Sequence, residues 1–262
     1  MTGVPPVRQD GRVLRVRVSR GKHGTLSGEE MPEITDALTK LADQDPASPD
    51  SVGAVLLVGE GEQFCTGGDV RGFVSAEDRY AFVHHLADTF HAFLRPLASS
   101  PVPTVAAVRG WAAGAGMSVA LAADLIVAGR STRMRPAYPG IGFSPDGGMS
   151  WTLPRLVGSA RARRILLSDE VLDADAMAEL GIASSVVDDD EVVPEAENLA
   201  YRIAQGPTAA LGRIRGLLDR TWASSLDEQL EAEADAIATS AAGPEATEGL
   251  TAFAEKRAPR FH

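Results

Sequence analysis

The sequence is short of several things, and each shortage excludes something. It has one cysteine, Cys65, among 262 residues. An internal disulfide is impossible, a zinc site built on cysteines is excluded by count, and a reducing cytoplasm is the expected compartment. No run of about 18 apolar residues occurs, so no membrane span is expected. The first residues lack an apolar stretch followed by a cleavage pattern, so no secretory leader is expected. Positive charge is in deficit: 25 lysines and arginines stand against 36 aspartates and glutamates, a net charge of −11. Nucleic acid and anionic membranes both call for a basic face, so neither is an expected partner.

What is present suits a folded α/β protein. Val13, Leu14, Val16 and Val18 interleave with Arg15 and Arg17, as in a strand with one buried face. Ser27, with Glu30 three residues later, predicts a capping box and a helix running to about residue 42. Segments 52–58 (VGAVLLV) and 103–108 (PTVAAV) are short and almost wholly apolar, like strands covered on both faces. A helical pattern spans 76–98. A helix of small and apolar residues spans 116–123, and Asp124 opens a third apolar strand. Strands alternating with helices predict an α/β architecture. From about Val192 the chain turns alanine- and glutamate-rich, with an apolar stripe at Leu211, Ile214, Leu217 and Leu218. The reading is an α/β core over 1–190 and a helical region over 191–262.

Two glycine-rich segments each follow an apolar strand: FCTGGD at 64–69 and GWAAGAG at 110–116. Glycine there lets the backbone approach a ligand and aim its N–H groups at it. Two such loops facing each other can hold one oxygen between two amides, an oxyanion hole. Taken singly, each loop is explained equally well by tight packing of a helix on a strand. Neither is a phosphate-binding P-loop, and Val119 takes the last glycine position of a dinucleotide fingerprint.

The loops, their order and their neighbours resemble the enoyl-CoA hydratase/isomerase (crotonase) superfamily. The matching segments are FCTGGDV (64–70), RGWAAGAGMSVALAADLIVA (109–128), IGFSPDGGMSWTLPRLVG (141–158), ARRILLSDEVLDADAMAELGIASSVV (162–187) and EGLTAFAEKRAPRF (248–261). The resemblance implies a crotonase-like spiral of ββα units with a C-terminal helical trimerisation region. It implies a homotrimer or hexamer acting on an acyl-CoA thioester, with no resident cofactor (coenzyme A is part of the substrate) and no metal. By the same resemblance, the amides of Gly68 and Ala115 are the oxyanion donors. The chemistry agrees, because removing a proton next to a thioester places charge on its oxygen, and a lost donor typically costs about 10²–10³ in kcat.

The sequence departs from the family's hydratases, which carry two glutamates that handle water. Those positions are Ser118 and Tyr138 here. Asp146, in SPDGG, resembles the aspartate of ring-modifying and double-bond-shifting isomerases; capping of the following helix explains it equally well. In spacing, His91, Tyr138 and Asp146 match the histidine base, the tryptophan and the aspartate nucleophile of 4-chlorobenzoyl-CoA dehalogenase, a family member. For the phosphates of coenzyme A the candidates are Arg20, Lys22, Arg71, Lys256 and Arg257, with Phe253 and Lys256 implied at the nucleotide end. Arg161, Arg163 and Arg164 read as a solvated helix face. Asp69 and Asp124 read as structural, and Cys65 as packing. Trp111, Tyr138, Phe143 and Trp151 are candidates for an acyl pocket or for core. The expected activity is an enoyl-CoA isomerase-type reaction with Asp146 as acid and base. The alternatives are a hydratase with a non-standard acid or base, a dehalogenase- or thioesterase-like hydrolase using Asp146 and His91, and a non-catalytic acyl-CoA-binding homologue.

Overall fold

The computed structural model describes residues 5–69 and 71–262. The chain opens with an antiparallel hairpin, β1 (Val7–Asp10) and β2 (Val13–Arg17). Helix α1 (Met31–Thr39) follows, then β3 (Ala54–Val58), α2 (Arg71–Ser75) and α3 (Arg79–Ala98). The expected capping box at Ser27 does not form. Helix α1 starts later, with Glu30 as its N-cap and no side-chain cap bond. The Glu30 carboxylate is taken instead by the buried Arg17 guanidinium at 2.5 Å. A buried cation needs that partner more than a solvent-facing amide does.

The spiral is read from two successive turns of chain. β4 (Thr104–Val108), β5 (Trp111–Ala113) and α4 (Ala115–Leu121) form one unit. β6 (Leu125–Gly129), β7 (Arg133–Arg135) and α5 (Met149–Val157) form the next. β4 pairs in parallel with β6, and β5 in parallel with β7, so each unit lays one strand into each of two sheets. Helix α6 (Ser159–Leu167), β8 (Leu172–Asp173), α7 (Ala174–Glu179) and β9 (Ser185–Val187) complete the sheets. The larger runs β1-β2-β3-β4-β6-β9 and the smaller β5-β7-β8. The short strands β5, β7, β8 and β9 carry two or three residues each, too few for a sequence period to reveal them.

The apolar strands are buried on both faces, as expected. One face meets α1, α3, α4 and α5 in the main core. The other is covered by α8 (Val192–Ala204), whose Val192, Ala196, Ala200 and Ala204 recur every four residues along one stripe. Small side chains there let the helix lie close: a Cβ on Gly53 would stand 2.8 Å from Ala204 Cα. Helices α9 (Thr208–Arg220), α10 (Leu226–Ala241) and α11 (Pro244–Ala254) follow. The predicted stripe on α9 is not buried within the chain; Ile214 and Leu218 are exposed, and Arg215 points inward instead. Its guanidinium donates to Asp124 at 2.9 and 3.0 Å and to Ser100 O at 2.8 Å. Asp124 also accepts from Thr104 N and Oγ1, so it is structural, as expected. Arg161, Arg163 and Arg164 are exposed on α6. Among the described residues no helix is long and apolar enough to cross a membrane.

Candidate active site

The two glycine loops are strapped together in register. Cys65 N donates to Trp111 O at 3.0 Å, and Ala113 N donates to Cys65 O at 2.9 Å. This makes a parallel bridge between Cys65 and Ala112. Gly68 and Ala115 each lie three residues beyond it, and the loops stay close there: a Cβ on Gly67 would stand 3.6 Å from Ala115 N. The closeness demands glycine. A Cβ on Gly116 would stand 2.0 Å from Cys65 O, a separation no packed atom tolerates. Ala115 is the first residue of α4, so its amide has no carbonyl four residues back to bond. Cys65 itself is buried, and burial pushes its thiol up to about 11, which suits packing rather than nucleophilic work.

Gly68 and Ala115 both face a cavity of about 1000 Å³. Its other walls come from Leu26, Gly28 and Met31 around the start of α1, from α2 and α3, and from the segment 137–146. Asp146 and Tyr138 line the same cavity. The Tyr138 hydroxyl donates to Asp146 Oδ1 at 2.5 Å. Oδ2 of Asp146 has no hydrogen-bond partner among the described residues. Burial first, then the charge and the hydrogen bond of Asp146, push the Tyr138 hydroxyl well above the usual tyrosine range, so it stays a proton donor.

Asp146 is not a helix cap. Helix α5 begins at Met149, its N-cap is Gly148, and no side chain caps it. The two glycines after Asp146 take φ of +62° and +76°, which turns the chain sharply and leaves the carboxylate on the cavity wall. The turn is held from behind. Ser118 Oγ donates to Asp146 O at 2.9 Å, and Gly147 N donates to His91 Nε2 at 3.2 Å. A Cβ on Gly147 would stand 2.4 Å from Phe90 Cε1. Ser118, at one of the two hydratase glutamate positions, therefore holds the Asp146 backbone. Tyr138, at the other, holds its side chain.

His91 does not line the cavity, and its Nε2 is occupied as an acceptor. Through that bond it braces the Asp146 loop. Arg20 and Lys22 are exposed in a turn bonded to the first glycine loop, where Thr66 N donates to Gly24 O at 2.8 Å and Leu26 N to Gly67 O at 2.9 Å. The side chain of Arg71 lies outside the described residues. Phe253 and Lys256 are exposed and do not line this cavity within one chain. Of the four aromatic candidates, Tyr138 and Phe143 line it, whereas Trp111 and Trp151 do not. The Arg155 guanidinium lies 3.8 Å over the Trp151 ring instead.

Sequence reasoning missed the wall contributed by α2 and α3: Phe73, Arg79, Phe82, Val83, Leu86 and Ala87. The signal was available. Val83, Leu86, Ala87 and Phe90 fall at i, i+3, i+4 and i+7, one helical face, and periodicity alone does not say whether such a face meets core or cavity. Among the described residues, no group of three or more histidines, cysteines or carboxylates is placed to hold a metal.

A ββα spiral that sets two glycine loops over a largely apolar cavity defines the fold class, and comparison with known proteins assigns its family. A family model described as enoyl-CoA hydratase/isomerase matches residues 8–262. The chain belongs to that family. It is 35% identical to the 1,2-epoxyphenylacetyl-CoA isomerase of Escherichia coli K12, over 95% of this chain and 94% of that one. It is 32% identical to 4-chlorobenzoyl coenzyme A dehalogenase-1 of an Arthrobacter species, over 93% of this chain and 88% of that one. Among solved structures it is similar to an enoyl-CoA hydratase from Polaromonas sp. JS666. The TM-score is 0.88 and the identity 30%, over 97% of this chain and 98% of that one. The crotonase fold and the acyl-CoA-transforming class are thereby established; relatives with three different reactions leave the reaction itself to the site.

Proposed function

We propose that the protein isomerises an acyl-CoA thioester, with the thioester oxygen between the amides of Gly68 and Ala115 and with Asp146 carrying the proton. The observation that supports this most directly is Asp146: one oxygen is tied to Tyr138, the other has no hydrogen-bond partner among the described residues, and the residue lines the same cavity as Gly68 and Ala115. Asp146 takes a proton from the carbon beside the thioester. The electron pair moves onto the thioester oxygen as an enolate. The same carboxyl then returns the proton at the far end of the shifted double bond, so one acid serves both halves and no water is consumed. General acid–base transfer of this kind typically contributes about 10²–10⁴ in rate.

Two carboxylates are what the family's hydratases use to handle water, and Ser118 and Tyr138 supply neither. A hydrolase with Asp146 as nucleophile needs a base at the water, and His91, which is not among the cavity-lining residues, already accepts the Gly147 amide. The exposed Leu218, Trp222, Leu226 and Phe253 support a homotrimer or dimer of trimers in which Phe253 and Lys256 reach a neighbour's coenzyme A. The reducing cytoplasm remains our reading of the compartment.

Asp146→Asn keeps the shape and removes the base. It is expected to abolish isomerisation of enoyl-CoA thioesters while leaving their binding, measured calorimetrically, intact. Unchanged turnover in that variant overturns the assignment. No turnover of any acyl-CoA by the unaltered protein, with binding retained, favours the non-catalytic reading.

A further inference from the structure

Aromatic residues are sparse in this chain, at 5% of the sequence, yet they converge on one cavity. Four of its eight phenylalanines and two of its three tyrosines line the space that Asp146, Gly68 and Ala115 share. They come from separate stretches: Phe73 from α2, Tyr80, Phe82 and Phe90 from α3, and Tyr138 and Phe143 from the segment before α5. Their convergence is a property of the tertiary fold.

The rings are also ordered relative to one another. Phe73 stacks on Phe143, with centroids 5.7 Å apart and planes 14° from parallel. Phe82 meets Phe73 edge-on, at 6.0 Å and 70°. Phe143 N donates to Tyr138 O at 3.0 Å, which ties this panel to the residue that holds Asp146. Among the described residues the charged groups on the cavity wall are Asp69, Arg79 and Asp146, with His84 titratable beside them, and most of the remaining wall is apolar. Such a wall offers ring faces and edges to whatever lies next to the thioester. A saturated chain gains only burial there. A planar unsaturated ring gains face-to-edge and offset-stacked contacts as well, because its own quadrupole matches those of the wall.

From this convergence we propose that the acyl group of the substrate is an aryl or conjugated-ring group, and that Phe73, Phe82 and Phe143 select it. This deepens the acyl-CoA reading given above and rests on it.

The test compares the binding of phenylacetyl-CoA, cyclohexylacetyl-CoA and hexanoyl-CoA to the full chain by calorimetry. The first two share ring size and differ in π character; the third is open-chain. Phenylacetyl-CoA is expected to bind about fivefold more tightly than cyclohexylacetyl-CoA, and more tightly than hexanoyl-CoA. In Phe143→Leu and Phe73→Leu, which keep apolar bulk, the preference over cyclohexylacetyl-CoA should collapse toward unity. Intact folding of both variants is checked by a melting temperature close to that of the unaltered protein. Equal or tighter binding of the saturated thioesters to the unaltered protein overturns the proposal, as does a preference that survives both substitutions. Failure of all three thioesters to bind would instead overturn the acyl-CoA reading beneath it, so the two failures are told apart.

Discussion

The Tyr138 hydroxyl sits 2.5 Å from Asp146 Oδ1 and donates to it. The phenol stands where the family's hydratases carry a carboxylate, and among the described residues it is the one hydrogen-bond partner of the Asp146 carboxylate, on Oδ1. Tyr138→Phe removes the donor and keeps the ring. A hydrogen bond to a charged group contributes about 1.5–3 kcal/mol. Turnover is therefore expected to fall about 10- to 100-fold, with KM little changed because the ring still fills its space. Steady-state kinetics on an enoyl-CoA thioester checks this; wild-type kcat would mean that Tyr138 does not position the acid.

The same pair makes a prediction about pH. The folded Tyr138 hydroxyl keeps its proton beyond the ordinary tyrosine value of 10.0, where the unfolded chain releases it. The unfolded state then binds fewer protons than the folded one, so stability falls as pH rises. The contribution is fully present below pH 10.0 and is lost above it, at up to about 1.4 kcal/mol per pH unit. Thermal melts from neutral pH to above that value should decline more steeply for the wild type than for Tyr138→Phe.

Ala115→Pro tests the second amide. Proline is favoured at the first position of a helix and lacks the N–H, so it removes the donor while suiting the start of α4. We expect kcat to fall by about 10²–10³, with the melting temperature close to wild type. Retained turnover in a folded variant would remove Ala115 from the oxyanion hole.

Arg215→Ala tests the tie between α9 and the core. It strands Asp124, which among the described residues then keeps its Thr104 donors alone. Breaking a buried pair typically costs about 3–5 kcal/mol, and partial exposure of Asp124 places this one near about 3 kcal/mol. Urea denaturation should show that loss, with kcat/KM unchanged in the folded protein.

The elements long enough to show a period were legible in the sequence. The apolar runs became β3, β4 and β6, the alanine-rich stretch from Val192 became the helix covering the sheet's second face, and the glycine loops stood where motif and strand predicted. Other features were not legible. Strands of two or three residues have no period, Glu30 was drawn from its cap by a buried arginine distant in sequence, and the α9 stripe turned outward.

The sequence by itself determined the family, the α/β class, the two amide-bearing loops, and the absence of glutamate at positions 118 and 138. These are statements about residue identity at a spacing, and local chain geometry carries them. The tertiary structure decided what the retained acid bonds to, that His91 accepts the amide of the glycine after that acid, and that six aromatic residues line one cavity. Each of these depends on side-chain direction across elements distant along the chain, and only packing sets that direction.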